Sequence, residues 1–409
     1  MTETARHAPP AEAPARLGRG LLLLMSAATG LSVAGNYFAQ PLLDVIGREL
    51  GLDATTAALV VTAAQGGYAL GLILLVPLGD LVERRRLAVV LFAATAVFLV
   101  VSALATSAPM LLAGTALTAL ASVAAQVVVP YAATLAAPAE RGRVVGTVMA
   151  GLLLGGLLAR TVSGTLSELG GWRTIYWVNA VLVAVVAVLL WRFLPRLHTP
   201  IGLSYPALLR STVALFRDEP ALRLRAAMGA LSFAAFSALW TAVTFLLSGP
   251  PYGWSEAGIG LFGLAGVAGV IVTPIAGRLA DRGWVQRVSG IGAAVLALSW
   301  ALIGRGPVSV GWLVAGVLLL TMAQQAVLNA GQHVVYALRP ESRNRLNSAF
   351  MTAFFLGGAA GSALGSAAWT AAGWTGVSLL GGALSAATFA VWALERLSAR
   401  RWIDDKEES

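Results

Sequence analysis

Gly277-Arg278-Leu279-Ala280-Asp281-Arg282-Gly283 is a short charged stretch, begun by glycine and set between two long apolar runs. A weaker copy, Gly79-Asp80-Leu81-Val82-Glu83-Arg84-Arg85-Arg86, stands half a chain upstream. Each follows a proline, Pro274 or Pro77, by two or three residues. Two copies of one charged hinge, half a chain apart, suggest a duplicated membrane protein.

The sequence around the hinges agrees. Of 409 residues, 58% are apolar and 11% charged, and mean hydropathy is +0.79. A soluble domain averages about 45–50% apolar and about 25% charged, so this composition belongs in lipid. A bilayer crossing takes about 20 apolar residues. Runs of that length fall at about 21–46, 57–78, 87–106, 109–136, 144–167 and 173–192. A second set falls at about 223–247, 257–276, 288–304, 311–337, 346–370 and 375–394. Membrane strands are about 10 residues long and alternate in polarity; these runs do neither. The expectation is an all-α membrane protein with twelve transmembrane helices.

The net charge of +9 points to orientation rather than to nucleic acid. With the amino terminus inside, 24 of the 28 basic residues fall in tails and loops of the cytoplasmic side. Arg48, Arg173 and Arg305 lie outside, and Arg160 lies within a span. Such retention of basic residues fixes topology; scattered over short loops, they form no nucleic-acid face. The reading is a multi-pass protein of the inner (cytoplasmic) membrane with both termini cytoplasmic. Cysteine is absent, and no metal-ligand spacing or P-loop occurs, so neither a metal nor a cofactor is expected. An enzyme is disfavoured: His7, His198 and His333 are far apart in topology and no catalytic set converges.

The duplication extends beyond the hinge. Pro138, Arg141 and Arg143 recur as Pro340, Arg343 and Arg345, Gly155-Gly156 as Gly357-Gly358, and Gly171-Trp172 as Gly373-Trp374, all at an offset of 202 residues. The chain then divides into an amino-terminal tail (1–20), a six-helix half (21–194), a central loop (195–221), a second half (222–394) and a carboxyl-terminal tail (395–409). Arginines alternate with Leu208, Leu209, Val213, Leu215 and Phe216 in the central loop, which reads either as an interfacial helix or as a plain loop. Parallel halves of this kind place a substrate site near the midplane between them.

Gly277 to Gly283 resembles the loop signature of the major facilitator superfamily, and helix count, duplication and central loop carry the resemblance along the whole chain. Asn36 to Pro41 and the glycines from Gly151 to Gly164 look like a bacterial branch near the drug–proton antiporters and sugar-efflux carriers. The resemblance implies two pseudo-symmetric six-helix bundles around a central cavity. It implies a monomeric secondary transporter of a small organic solute by alternating access, with protons as coupling ion and the lipid bilayer as its solvent. Proton-coupled efflux is the expected direction; uptake symport or uniport, and more remotely a non-transporting sensor, are the alternatives. It also implies a cytoplasmic gate at Gly79, Glu83, Arg84, Gly277, Asp281 and Arg282, with Arg141 and Arg343 as partners. The sequence departs from the pattern: Glu83 replaces the usual aspartate, Thr115 stands where the antiporters carry an arginine, and Ala159-Arg160 stands in the antiporter motif.

Within the spans, polar residues single out the site. Ser32, Asn36, Gln40 and Asp44 recur every four residues of the first span, a stripe on one broad face. Arg160 is an intramembrane arginine, and such a residue costs at least about 2.5–3.5 kcal/mol and marks a functional site by default. It reads as an anion contact or coupling residue, or else as a structural pair with Asp44 or a snorkelling side chain. Gln325, Asn329, Gln332, His333 and Tyr336 share a face of the tenth span, mirrored by Gln126 and Tyr131 in the fourth. Midplane amides line a cavity or bond between helices. His333 is the intramembrane side chain whose ordinary titration range lies near neutrality. Tyr37, Tyr68, Trp240, Phe350, Phe354 and Phe355 are candidate apolar walls. Trp172 and Trp374 read as interfacial belt residues, and the glycines of spans five and eleven as the places where the halves rock.

Overall fold

The structure, a computed structural model, describes residues 18–137, 140–196, 204–339 and 342–407, with side chains to 397. Arg6, His7, Arg16, Pro138, His198 and Pro340 lie outside the described residues. So do the side chains of the carboxyl-terminal tail beyond 397. Every regular element among the described residues is helical.

Twelve spans result. Span 1 is Arg19–Ala34 continued, after a break, by Gln40–Leu42 and Leu43–Leu50. Span 2 is Ala54–Leu74 with the turn Val76–Asp80, span 3 Arg84–Ala103, and span 4 Ala108–Ala121 with Ala124–Leu135. Spans 5 and 6 are Arg141–Gly170 and Arg173–Phe193. Span 7 is Pro220–Ser248, and span 8 is Glu256–Phe262 with Val267–Leu279. Spans 9 and 10 are Val285–Ile303 and Val310–Leu338, and Arg343–Glu407 supplies spans 11 and 12, broken at Ala372 and Gly373.

The second hinge ends at Gly283 with φ +82°. Glycine alone adopts that conformation without steric cost, so the chain turns there from span 8 into span 9. The face of the protein that carries Arg84–Arg86 and Asp281–Arg282 is termed the hinge face below.

The first span is expected as one continuous helix and is broken at Gly35–Ala39 instead. Pro41 has no N–H to give the preceding turn. At the end of the break Thr244 Oγ1 of span 7 donates to Gln40 O at 2.6 Å. The other half of the molecule thus completes the break. Span 4 is interrupted likewise, and Ser32 Oγ donates to Ser122 O at 2.5 Å.

Two sequence expectations need correction. Trp172 and Trp374 are buried inside the protein rather than turned to a lipid-facing belt: their indole N–H groups donate to Glu49 Oε2 at 2.9 Å and Ile303 O at 2.8 Å. Most glycines of spans 5 and 11 lock helices within a half. A Cβ at Gly155 would lie 2.2 Å from Gly30 O of span 1, and one at Gly357 2.2 Å from Ala230 O of span 7. Gly164 differs, because it meets Glu256 and Gly260 of span 8 across the halves.

The central segment contains a helix, Tyr205–Asp218, that buries Leu208, Thr212 and Leu215. Tyr205 Oη donates to Leu74 O of span 2 at 2.7 Å, and Arg345 of span 11 donates to Ser211 Oγ at 3.1 Å. The helix therefore straps one half to the other on the hinge face.

Candidate functional site

A cavity of about 510 Å³ lies between the halves, within the size range of small-molecule sites. It runs from Asp80, Arg84, Arg343 and Arg345 on the hinge face to Arg160 at its closed end. Spans 5 and 8 separate around its mouth. Their hinge-side glycines, Gly142, Gly146 and Gly277, would each point a Cβ into open space, and Arg141 and Asp281 are exposed.

The opposite face is sealed. Thr161 Oγ1 donates to Gly260 O at 3.0 Å, and Ala257 N to Glu168 Oε1 at 3.3 Å. Arg48 pairs with Glu256 at 3.2 Å, and the Thr55 and Thr370 hydroxyls meet at 2.7 Å. Spans 2 and 11 also touch toward the hinge face, where Ser348 Oγ donates to Leu72 O at 2.5 Å. The two halves thus meet along spans 2 and 11 and at the sealed end of spans 5 and 8.

At the closed end Arg160 is only 5% exposed. Its Nε donates to Gln40 Oε1 at 2.5 Å and its Nη1 to Gly156 O at 3.4 Å. The guanidinium lies 4.6 Å from the Tyr37 ring centroid and 4.4 Å from that of Trp240, within cation–π range. Trp240 belongs to the second half, so the arginine is clamped between the halves. Gly263 leaves room for it: a Cβ there would sit 2.9 Å from Arg160 Cβ.

Asp44 is not its partner. It pairs with Arg48 at 3.2 Å, one helical turn on, in a cleft of the sealed face that Glu256 shares. The expected stripe of the first span is split by the break, which carries Asp44 away from Arg160. Asn36 also leaves the cavity and faces Ser122, whose Oγ is 3.5 Å from Asn36 Oδ1. Gln40 lies behind Arg160 and holds it.

Of the tenth-span face, Gln325, Asn329 and Gln332 line the cavity, as do Gln126 and Tyr37 from the first half and Phe354 from the second. Gln126 Nε2 donates to Tyr68 Oη at 3.2 Å, and Gln325 Nε2 to Asn329 Oδ1 at 3.4 Å. His333 is rotated off this face and lies 3.8 Å from Asp281 of its own half. The apolar wall centres on Phe233, whose ring stacks on Phe354 at 4.0 Å and meets Phe355 at 5.3 Å, while Tyr68 meets Phe355 at 4.4 Å.

The hinges differ from expectation. Arg84 pairs at 3.5 Å with Asp80 rather than Glu83, and Asp80 also faces Arg345 and Asn344 of the other half. Glu83 stands at the N-cap position of span 3 without a side-chain capping bond, beside Tyr131. Gly79 lines the cavity mouth. In the second half, Asp281 and Arg282 are exposed, and Arg343 donates to Tyr336 O within its own half. None of these second-half gate residues pairs with Arg141 among the described contacts. Sequence reasoning missed Asp80, because the family pattern directs the eye three residues on. It also missed Arg225, counted among the basic residues of the cytoplasmic side. Arg225 is buried in span 7 and pairs with Glu395 at 2.9 Å and Ser289 Oγ at 2.6 Å.

Twelve spans, two packed halves and a cavity between them open to one face are the build of a secondary carrier. The chain belongs to the Major Facilitator Superfamily, whose family model matches residues 25–338 and 252–409. It is 50% identical over 376 residues to a protein of Escherichia coli (strain K12) described as "Putative uncharacterized transporter YgaY", covering 92% of this chain and 95% of that protein. It is 28% identical over 296 residues to a chloramphenicol resistance protein of Streptomyces lividans, covering 70% of this chain and 74% of that one. In fold it is similar to the crystal structure of the nucleoside transporter NupG (D323A mutant). The TM-score is 0.75 at 16% identity, with 91% of this chain and 99% of that one covered. The chain is therefore a multi-pass membrane transporter of a small solute, not an enzyme.

Proposed function

We propose that this carrier exports a small organic solute from the cytoplasm by alternating access, driven by proton entry. The observation that carries the reading is the cavity, open between spans 5 and 8 at the hinge face and sealed at the other. With the basic loops held inside, the hinge face is cytoplasmic, the membrane is the inner one and both described ends of the chain lie inside. The cavity is then poised to load from the cytosol. Its walls of Phe233, Phe236, Phe354 and Phe355 suit a solute with an apolar body. The similarity to a chloramphenicol resistance protein supports export.

Asp80 is the one carboxylate lining the cavity among the described residues, and we assign it the proton. It faces Arg84, Arg345 and Asn344, so its charge helps to hold span 2 against span 11. Protonation removes that charge and loosens the contact, which would link proton uptake to movement of the halves. The carrier works as a monomer in this scheme, since all these groups come from one chain.

The test uses proteoliposomes with an imposed pH gradient and a solute found by thermal-shift screening. Solute accumulation should follow the gradient in the wild type. With Asp80→Asn, accumulation should fail while exchange down the solute's own gradient persists. Gradient-driven accumulation by the variant would remove Asp80 from the coupling. Transport indifferent to pH in the wild type would remove the proton.

A further inference from the structure

The closed end of the cavity holds a positive charge without a negative one. Among the described residues no carboxylate pairs with Arg160, and the ionisable group that bears on its charge is Tyr37. Its Nη2 is buried and bonded to nothing. Two further N–H donors at the same place are in that condition: Gln40 Nε2, on the amide that holds Arg160, and Trp240 Nε1, on the ring stacked against it. Gln40 must present its oxygen to Arg160 Nε, which leaves the amide nitrogen as the free end.

Buried polar groups are nearly always satisfied, and an exception calls for an explanation. Here all three are donors, and one is on a cation. Water could serve one of them, but water does not balance the charge. Burying an unpaired charge is costly, and the fold builds a support for it: two aromatic faces, one amide and the cleared space at Gly263. A purely structural arginine would sit better against Asp44, which the fold instead pairs with Arg48. Next to Trp240, at 6.0 Å, Phe236 begins a run along the wall: Phe233 stacks on it at 5.6 Å and on Phe354 at 4.0 Å.

We propose that Arg160, backed by Gln40 and Trp240, forms the anion-binding floor of the cavity, so that the solute carried is a monoanion of carboxylate type on an aromatic or apolar body. The inference rests on the reading of the chain as a carrier and deepens it. The guanidinium takes the carboxylate, Gln40 and Trp240 hold the guanidinium in place, and the phenylalanine wall takes the body. Because Trp240 comes from the second half, an anion on this floor is held by both halves at once.

The experiment compares 2-naphthoate with 2-naphthamide, which share a ring system and differ in charge, by calorimetric titration of the purified full chain. Hydrogen bonds to a charged group are about twice as strong as neutral ones, and the acid should bind about 10- to 100-fold more tightly. Arg160→Gln should bring the acid down to the amide. Arg160→Lys should restore part of the preference by restoring the charge, and Trp240→Phe should weaken both ligands while keeping the preference. Thermal unfolding of each variant guards against misfolding. Equal binding of acid and amide, or binding of neither, overturns the assignment. So does an acid preference that survives in Arg160→Gln.

Repeating the titration in phosphatidylcholine and in phosphatidylglycerol nanodiscs identifies a lipid headgroup as the true occupant if the anionic lipid alone abolishes acid binding. Failure of pH-driven transport with acid binding intact would count against the exporter and leave the floor standing.

Discussion

Gly164 is the place to test whether the sealed face is a moving contact. A Cβ built there would lie 2.2 Å from Glu256 O, 2.9 Å from its carbonyl carbon and 3.2 Å from Gly260 Cα. Ordinary contact begins near 3.4 Å, so Gly164→Ala requires span 8 to withdraw by about 1 Å. Overpacking of this kind costs about 1–3 kcal/mol. The cost falls on the sealed state alone, because spans 5 and 8 part at this point when that face opens. The gain in helix propensity from glycine to alanine is common to both states and cancels. At about 1.4 kcal/mol per tenfold, the population open at that face rises about 5- to 150-fold. The chain has no cysteine, so Thr244→Cys introduces a lone thiol at a residue 1% exposed between the halves. Its labelling by a membrane-impermeant maleimide should accelerate by the same factor while the open state stays minor. Gly155→Ala is the control: it collides as closely, but within one half, and should lower the unfolding temperature without changing the labelling. Equal labelling rates in Gly164→Ala and its parent would refute the contact as a gate, as would an equal acceleration by Gly155→Ala.

Arg225→Ala strips one partner from a buried ion pair with Glu395, a change that costs about 3–5 kcal/mol. It should appear as a large drop in thermal stability, whereas Arg225→Lys should recover part of it. Asp281→Asn should leave the unfolding temperature of the hinge-open protein within the scatter of surface substitutions, about 0.5 kcal/mol, because Asp281 is exposed and, among the described residues, pairs only with His333 of its own half. A larger loss would reveal a cross-half contact at the second hinge. Asp53 accepts a hydrogen bond from Thr56 N at 2.6 Å at the start of span 2, which holds its carboxyl below the ordinary value of 3.8. Its contribution is present in full above that value and fades as pH falls through the lowered one. Asp53→Ala should therefore flatten the acid limb of a stability–pH curve and leave the rest of its shape alone.

The fold was legible because its causes are long and repetitive. Apolar runs of bilayer length, the two hinges and the constant offset from Gly155-Gly156 to Gly357-Gly358 all survive in the structure. The candidate site was legible in part. Arg160 and the amides Gln325, Asn329 and Gln332 stood out because lipid makes such residues expensive, and they do line the cavity. The stripe of the first span fails because its helix does not continue. Spacing by four groups Asn36, Gln40 and Asp44 on one face only in an unbroken helix, and the break before Pro41 sends the three in different directions. His333 was read by the same rule and lies about one position off the cavity face. Asp80 and Thr244 act through tertiary neighbours, Arg345 and Gln40, that no local pattern announces.

The carbonyl of Gln40 takes a hydrogen bond from the opposite half of the molecule. Whenever the halves separate, Thr244 departs with span 7, and its hydroxyl and that carbonyl must each find water in place of a bond worth about 0.5–1.5 kcal/mol net. Solvent is therefore a participant in the conformational equilibrium. Osmolytes excluded from protein surfaces raise the cost of wetting new surface, and they should hold the carrier shut toward that side without touching its solute.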